Sequence, residues 1–271
     1  MRCHIERDDA LSPIVAFFLL LMIIVSFISL LNAYYIPSLK QQEEVKHLQS
    51  IEEVFSSFTG DITQIALFQK GVSLQERFQL GGGAALFSPV LSSGTVQLQQ
   101  SSLLTLTIED GSNFETEIPI TGVTISYEPI GNFWMDQGYI WEHGLVYVTK
   151  PSKRTWLEYA TEADAKKSKD FFLKSMFIPE VITNNSLSLY RIVADPNALF
   201  RSGNGMSGIN LFLTKEKMVI DNVSSIDLSA AIVDGDTQDI LDDIVAAWEK
   251  PSLVGQSNVT VEIYNISVSV V

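Results

Sequence analysis

The chain has 271 residues, 46% hydrophobic and 18% charged, with 18 basic against 32 acidic side chains and a formal net charge of −14. A chain this acidic is repelled by phosphate backbones, whose binding needs clustered Lys and Arg, so nucleic acid is excluded as a partner. Its one cysteine, Cys3, rules out an intrachain disulfide, and an exterior domain must stand on its core alone.

Residues 1–9, MRCHIERDD, form a short polar head in which Arg2 and Arg7 are offset by Glu6, Asp8 and Asp9. Residues 14–31 follow without a single charge; fourteen of these eighteen are Leu, Ile, Val or Phe. As a helix they rise about 27 Å, close to the hydrocarbon thickness of a bilayer. Each such side chain favours insertion by about 0.3–0.6 kcal/mol at the helix centre. Ser12 suits an N-cap and Pro13 the first helical position, with Asp8 and Asp9 where the helix dipole favours negative charge. A cleaved secretory signal would have a shorter apolar run and a small-x-small site. Only Leu31-Asn32-Ala33 and Phe27-Ile28-Ser29 are on offer, each with a bulky residue where a small one is wanted. A lipoprotein signal needs a cysteine after the apolar run, and Cys3 precedes it. A retained single-pass anchor is the expectation.

The run Asp8-Asp9-Ala10-Leu11-Ser12-Pro13-Ile14-Val15, leading into an unbroken apolar helix, resembles the N-terminus of archaeal type IV pilin-like proteins. That family carries a class III signal, cut by a prepilin peptidase so that the apolar helix stays in the mature chain. The resemblance implies a cut between Asp9 and Ala10. It departs from the usual form at Ala16, where glycine is common, and no glutamate stands near the fifth mature position.

Beyond the span, Tyr34 and Tyr35 suit the outer interface, and Pro37 is expected to end or kink the helix near Tyr35. Leu48, Ile51, Phe55, Phe58, Ile62 and Ile65 then recur at helical spacing, with Gln41, Gln42, Glu43, Glu44, Lys46, Gln49, Glu52 and Glu53 on the polar face. Such a stripe packs as a core helix on its own domain, or also against neighbouring subunits. Lys40 and Lys46 after the span balance Arg2 and Arg7 before it, so charge does not orient it. The sequons in the last third, at Asn184, Asn222, Asn258 and Asn265, and the pilin resemblance place the N-terminus inside and the remainder outside.

Gly81-Gly82-Gly83 breaks the helical pattern and reads as a linker, after which the period becomes two. Residues 95–99 and 103–108 read as strand, residues 109–112 as turn, residues 114–120 as return strand, and residues 122–127 and 139–148 as further strands, the last a pair joined at His143-Gly144. Trp134, Tyr139 and Trp141 are expected to cap one end of a β-sandwich, with Asp136 and Gln137 bonding turn amides. Residues 122–127 together with Asn132-Phe133-Trp134-Met135-Asp136-Gln137-Gly138-Tyr139-Ile140-Trp141-Glu142-His143-Gly144 are similar to a signature that recurs in uncharacterised archaeal pilin-like surface proteins. With the N-terminal motif it spans about a tenth of the chain.

Lys150, Lys153, Arg154, Lys166, Lys167, Lys169 and Lys174 crowd one segment, read as a solvated insertion or as a positive patch for an acidic neighbour, anionic lipid or surface polymer. Thr161 opens a short helix there. Strands are expected over residues 186–193, 207–214, 224–233 and 260–271, the last tied into the sheet. Asp234, Asp236, Asp239, Asp242 and Asp243 could hold calcium. Against that, no glutamate stands twelfth, and the other reading is Asp236 capping a helix that runs to Trp248. His4, His47 and His143 lie far apart, and no zinc, thiol, nucleophile-elbow or phosphate-loop motif occurs.

The expected architecture is α+β: a leader over residues 1–9, a transmembrane helix over 10–35, an amphipathic helical segment over 36–80 and an antiparallel, sandwich-like exterior domain over 81–271. No catalytic, metal or cofactor residue is assigned. The function expected is that of a non-enzymatic, pilin-like cell-surface subunit whose partners are membrane lipid, prepilin peptidase and related pilin subunits. The alternative is a monomeric, membrane-anchored binding or sensing domain.

Overall fold

A computed structural model describes residues 13–68, 72–83, 91–112, 114–183, 185–233, 235–248 and 253–271. One helix runs from Pro13 to Phe68. It comprises α1 (Pro13–Leu30), a π turn (Leu31–Tyr35) and α2 (Ile36–Phe68). Pro37 therefore does not end the helix. The π turn falls where the pyrrolidine ring would meet the carbonyl four residues back, and widening the helix there relieves that clash; the Ile36 N–H reaches back to the Leu31 carbonyl.

The six stripe residues of α2, from Leu48 to Ile65, are all buried, each worth about 1.5–3 kcal/mol relative to exposure. Helix was expected as far as residue 80, but α2 stops at Phe68 and Ser73–Gln79 forms β1, so Gly81–Gly83 follows a strand. This strand sits at a sheet edge and buries only Phe78 fully, which leaves its sequence without a clean alternation.

In chain order the rest is β2 (Ser93–Asp110), β3 (Glu115–Ile130), β4 (Gly138–Glu142), β5 (Leu145–Lys150), β6 (Lys153–Trp156), α3 (Glu162–Phe177) and β7 (Glu180–Thr183). Then come β8 (Ser186–Ala194), β9 (Phe200–Gly203), β10 (Met206–Ile220), β11 (Val223–Ala230), α4 (Asp236–Ala247) and β12 (Val259–Val270). One sheet has the order β1-β10-β12-β8-β7, the other β11-β2-β3-β4-β5-β6 with β9 beside the first part of β2. All pairings are antiparallel except β8 with β12. The β domain is therefore mostly, not wholly, antiparallel. The last strand lies inside its sheet, and Gly208 and Val271 exchange both backbone hydrogen bonds at 2.9 Å.

Two expected short strands are one long β2, interrupted by a bulge between Ser102 and Leu104 that turns both Leu103 and Leu104 inward. The sheets meet through β2 and β3 against β8 and β12. A buried hydrogen bond from Thr121 Oγ1 to the Ile192 carbonyl, 2.8 Å, and a half-buried one from the Ala194 N–H to Gln100 Oε1, 2.9 Å, stitch them together. α2 touches β1, β10 and β12 of one sheet and β4 and β5 of the other, so the helix is the spine of the domain it carries.

The β4–β5 hairpin turns at His143 (φ 51°) and Gly144 (φ 83°), the positive-φ pair of a tight hairpin. Gly144 is required twice over, since a Cβ there would lie 2.6 Å from the Phe172 ring. Thr161 caps α3 as expected, its Oγ1 accepting from the Asp164 N–H at 3.2 Å. Asp236 does not cap α4. It is the first helical residue after Gly235, whose φ of 64° favours glycine, while Asp239 does lie in the first turn.

Candidate functional site

α1 buries none of its residues, and large apolar side chains from Ile14 to Leu30 stand between 43% and 70% exposed. This uncovered, uncharged helix of about 27 Å is long and apolar enough to cross a bilayer core. Tyr34 and Tyr35 are exposed in the π turn, at the end where amphipathic rings suit the headgroup level.

Fourteen residues past Leu30, Glu44 leaves the polar face on which it was expected: four residues before Leu48, it continues the buried stripe of α2 by one more turn. It is 2% exposed, and its carboxylate accepts from three successive backbone N–H groups: Phe133 at 2.9 Å, Trp134 at 3.1 Å and Met135 at 2.7 Å. An anion held by consecutive amides is charge-assisted and strongly directional, so this clamp fixes the β3–β4 turn to the helix. Asp136 and Gln137 had been expected to bond those amides. Gln137 instead donates to the Tyr139 hydroxyl at 2.7 Å, and that hydroxyl donates to Glu52 Oε2 at 3.0 Å. Asn132 Nδ2 closes the turn on the Met135 carbonyl at 2.8 Å.

The aromatic signature is divided between two fates. Tyr139 and Trp141 lie in the core and pack β4 onto α2, Trp141 edge-on to Phe58 at 4.8 Å and donating to Thr59 Oγ1 at 2.8 Å, rather than capping one end of a sandwich. Trp134 does not share that role. It and Phe133 are each 57% exposed at the tip of the clamped turn.

His47 stands one helical turn beyond Glu44. Burial pushes its imidazole down while the Gln79 carbonyl, 2.6 Å from Nε2, and Glu44 pull the other way. His143 is buried too, and burial drives it down to about 4, with Glu142 opposing and Lys169 assisting.

Lys169, expected among solvated basic residues, is buried on α3 and donates to Thr237 Oγ1 of α4 at 2.6 Å. Burial lowers its ammonium, offset by Glu142 and Asp236. Three of the six other basic groups of this segment, Arg154, Lys166 and Lys174, are ion-paired locally. Arg154 bonds Glu142 at 2.5 Å and lies 3.7 Å over Tyr147; Lys166 is 3.7 Å from both Asp236 and Asp239; Lys174 meets Asp170 at 2.7 Å. The segment binds α3, α4 and the β4–β5 hairpin together rather than forming one free positive patch. Only the fixed helical spacing of residues 165, 169, 172, 173 and 176 could have shown Lys169 sharing the buried face of α3.

Of the expected site residues, Asp9, Ala10, Asn184 and Asp234 lie outside the described residues. Asn222 and Asn258 are exposed in turns at positive φ, 51° and 56°, and both lie by the end of β2 remote from the clamp, since Val223 pairs with Asp110 and also bonds Gln256. Asn265 differs. It is 7% exposed in mid-strand, its Oδ1 accepts from Arg191 Nε and its Nδ2 donates to Glu216 at 2.7 Å, so the folded domain does not offer it as an acceptor. Among the described residues no three His, Cys, Asp or Glu side chains converge as a metal site. Comparison with known protein families, with curated proteins and with solved structures finds no match to this chain.

Proposed function

We propose that this chain is a non-enzymatic, pilin-like cell-surface subunit. α1 holds it in the membrane, its β domain lies outside, and prepilin-type cleavage between Asp9 and Ala10 leaves α1 in the mature protein. Through α1 it joins related subunits in a type IV pilus-like filament, as a minor or adhesive member. The observation that carries this reading is the single helix from Pro13 to Phe68, uncovered over its apolar first third and packed by one face onto a β domain over its last half. Exposed Asn222 and Asn258, away from the helix clamp, support the exterior placement.

A second reading, a monomeric anchored binding or sensing domain, is favoured by one detail. The stripe from Leu48 to Ile65 is occupied entirely within its own domain, so it is not left open for a neighbouring subunit. Shearing cells and sequencing the N-terminus of the released protein decides between them. Filaments containing chains that begin at Ala10 support the first, and an unsheared monomer left in the membrane fraction supports the second.

A further inference from the structure

We propose that the tip of the β3–β4 turn, Phe133 and Trp134 with neighbouring Ile130, is a second membrane contact, its rings seated in the headgroup layer of the leaflet from which α2 emerges. This rests on the membrane-anchor reading above. Three large apolar side chains, at 57%, 57% and 50% exposure, cluster in one turn of a domain whose other signature aromatics are buried. Their backbone amides are already satisfied by Glu44, so the tip presents rings without presenting unbonded N–H groups from 133–135.

Height above the bilayer is what singles out this turn. Glu44 lies nine residues past Tyr35, about 14 Å along the helix. The Phe133 ring also reaches Lys40, 6.0 Å from its Nζ, and the Lys40 backbone is only about 7.5 Å past Tyr35. Side chains on a helix lean toward its N-terminus, here toward the membrane. The headgroup layer adds about 5–8 Å outside the hydrocarbon, and single spans tilt by about 20°, which lowers a point 12 Å to one side by about 4 Å. The rings therefore come within reach of the layer in which Tyr34 and Tyr35 stand.

Charge does not oppose the contact. Lys40 lies beside the ring, and the β5–β6 turn with exposed Lys150 and Lys153 flanks Gly138 at the same end of the sheet, offsetting Glu128 and Asp136 there. Counting also Glu44 on the turn and the Lys46–Glu43 pair, basic and acidic groups at this end balance, so a bilayer meets no net negative charge there.

The test uses the full chain in phosphatidylcholine liposomes whose acyl chains are brominated close to the headgroup. Subtracting the emission of Trp134→Phe from that of the unaltered protein isolates Trp134, and Phe27→Trp in the Trp134→Phe background reports the span. Seating at the interface predicts a blue-shifted Trp134 signal, quenched about twofold by the bromolipid, alongside a quenched Phe27→Trp probe. A quenched span with unquenched Trp134 overturns the second contact and leaves the anchor standing. Trp134 emission that shifts blue only as protein concentration rises, without bromolipid quenching, means that another copy covers the turn and likewise overturns it. An unquenched span probe removes the anchor reading itself, and this contact with it.

Discussion

The two halves of one helix obey opposite rules. α1 hides nothing and exposes Leu, Ile, Val and Phe on every side, whereas α2 hides one apolar stripe and exposes Gln, Glu and Lys around it. Backbone geometry is shared across the π turn, so the difference lies wholly in the solvent each half was built for. A uniformly apolar surface is stable in hydrocarbon, and a striped one is stable only against a folded body. One continuous helix thus joins a segment long and apolar enough to span a bilayer to a β domain.

Truncating Phe58, 1% exposed on α2 and edge-on to Trp141, separates the halves most sharply. Phe58→Ala is expected to destabilise the β domain by about 3–5 kcal/mol in thermal or denaturant unfolding, while Phe18→Ala on α1 leaves that transition unchanged. The reverse experiment is Leu21→Arg. It should cost about 3–4 kcal/mol in membrane insertion, measured by glycosylation-tag translocation, with the unfolding of the domain unaffected.

The join is tested at Glu44. Glu44→Ala deprives three amides of their acceptor and is expected to cost about 2–3 kcal/mol, with faster hydrogen exchange confined to Phe133, Trp134 and Met135. Glu44→Gln, which keeps one oxygen, should cost about half as much.

Much of this division was legible in the sequence, and what was not has a physical cause. The uncharged run and the 3, 4, 3, 4 spacing of the stripe are local patterns, as are the His143-Gly144 hairpin and the Thr161 cap, and each needs only its own neighbours to be read. β1 pairs with β10, more than 120 residues further on, and its edge position leaves little alternation in Ser73–Gln79. The parallel match of β8 with β12 is equally non-local. Glu44 and Lys169 stand at the helical spacing of buried faces, four residues before Leu48 and four before Leu173, but their charge reads as solvent-facing, and only the folded partners, a turn and a threonine, account for it inside. Nor does a sequon say whether its asparagine faces out, as Asn222 does, or is bonded into a sheet, as Asn265 is.

A smaller effect sharpens the comparison through pH, since the buried histidines belong to the β domain and α2, with none in α1. Folding holds His143 at about 4 against an ordinary 6.5, so between those values the unfolded chain binds more protons. Stability from this group is therefore complete above about pH 6.5 and falls as pH drops toward 4, by about 1–3 kcal/mol. His47 is shifted in the same direction and adds to the slope. Urea titrations at successive pH values should show the decline, and His143→Asn, which tolerates the positive φ at that site, should flatten it.

Alkaline carbonate extraction tests the division of labour itself. Membranes bearing the full chain are compared with cells expressing residues 36–271 alone. The account predicts that the full chain stays in the pellet while residues 36–271 appear in the supernatant as a folded domain with a cooperative unfolding transition. A full chain that washes off the membrane, or a shortened chain that remains with it, would contradict the account.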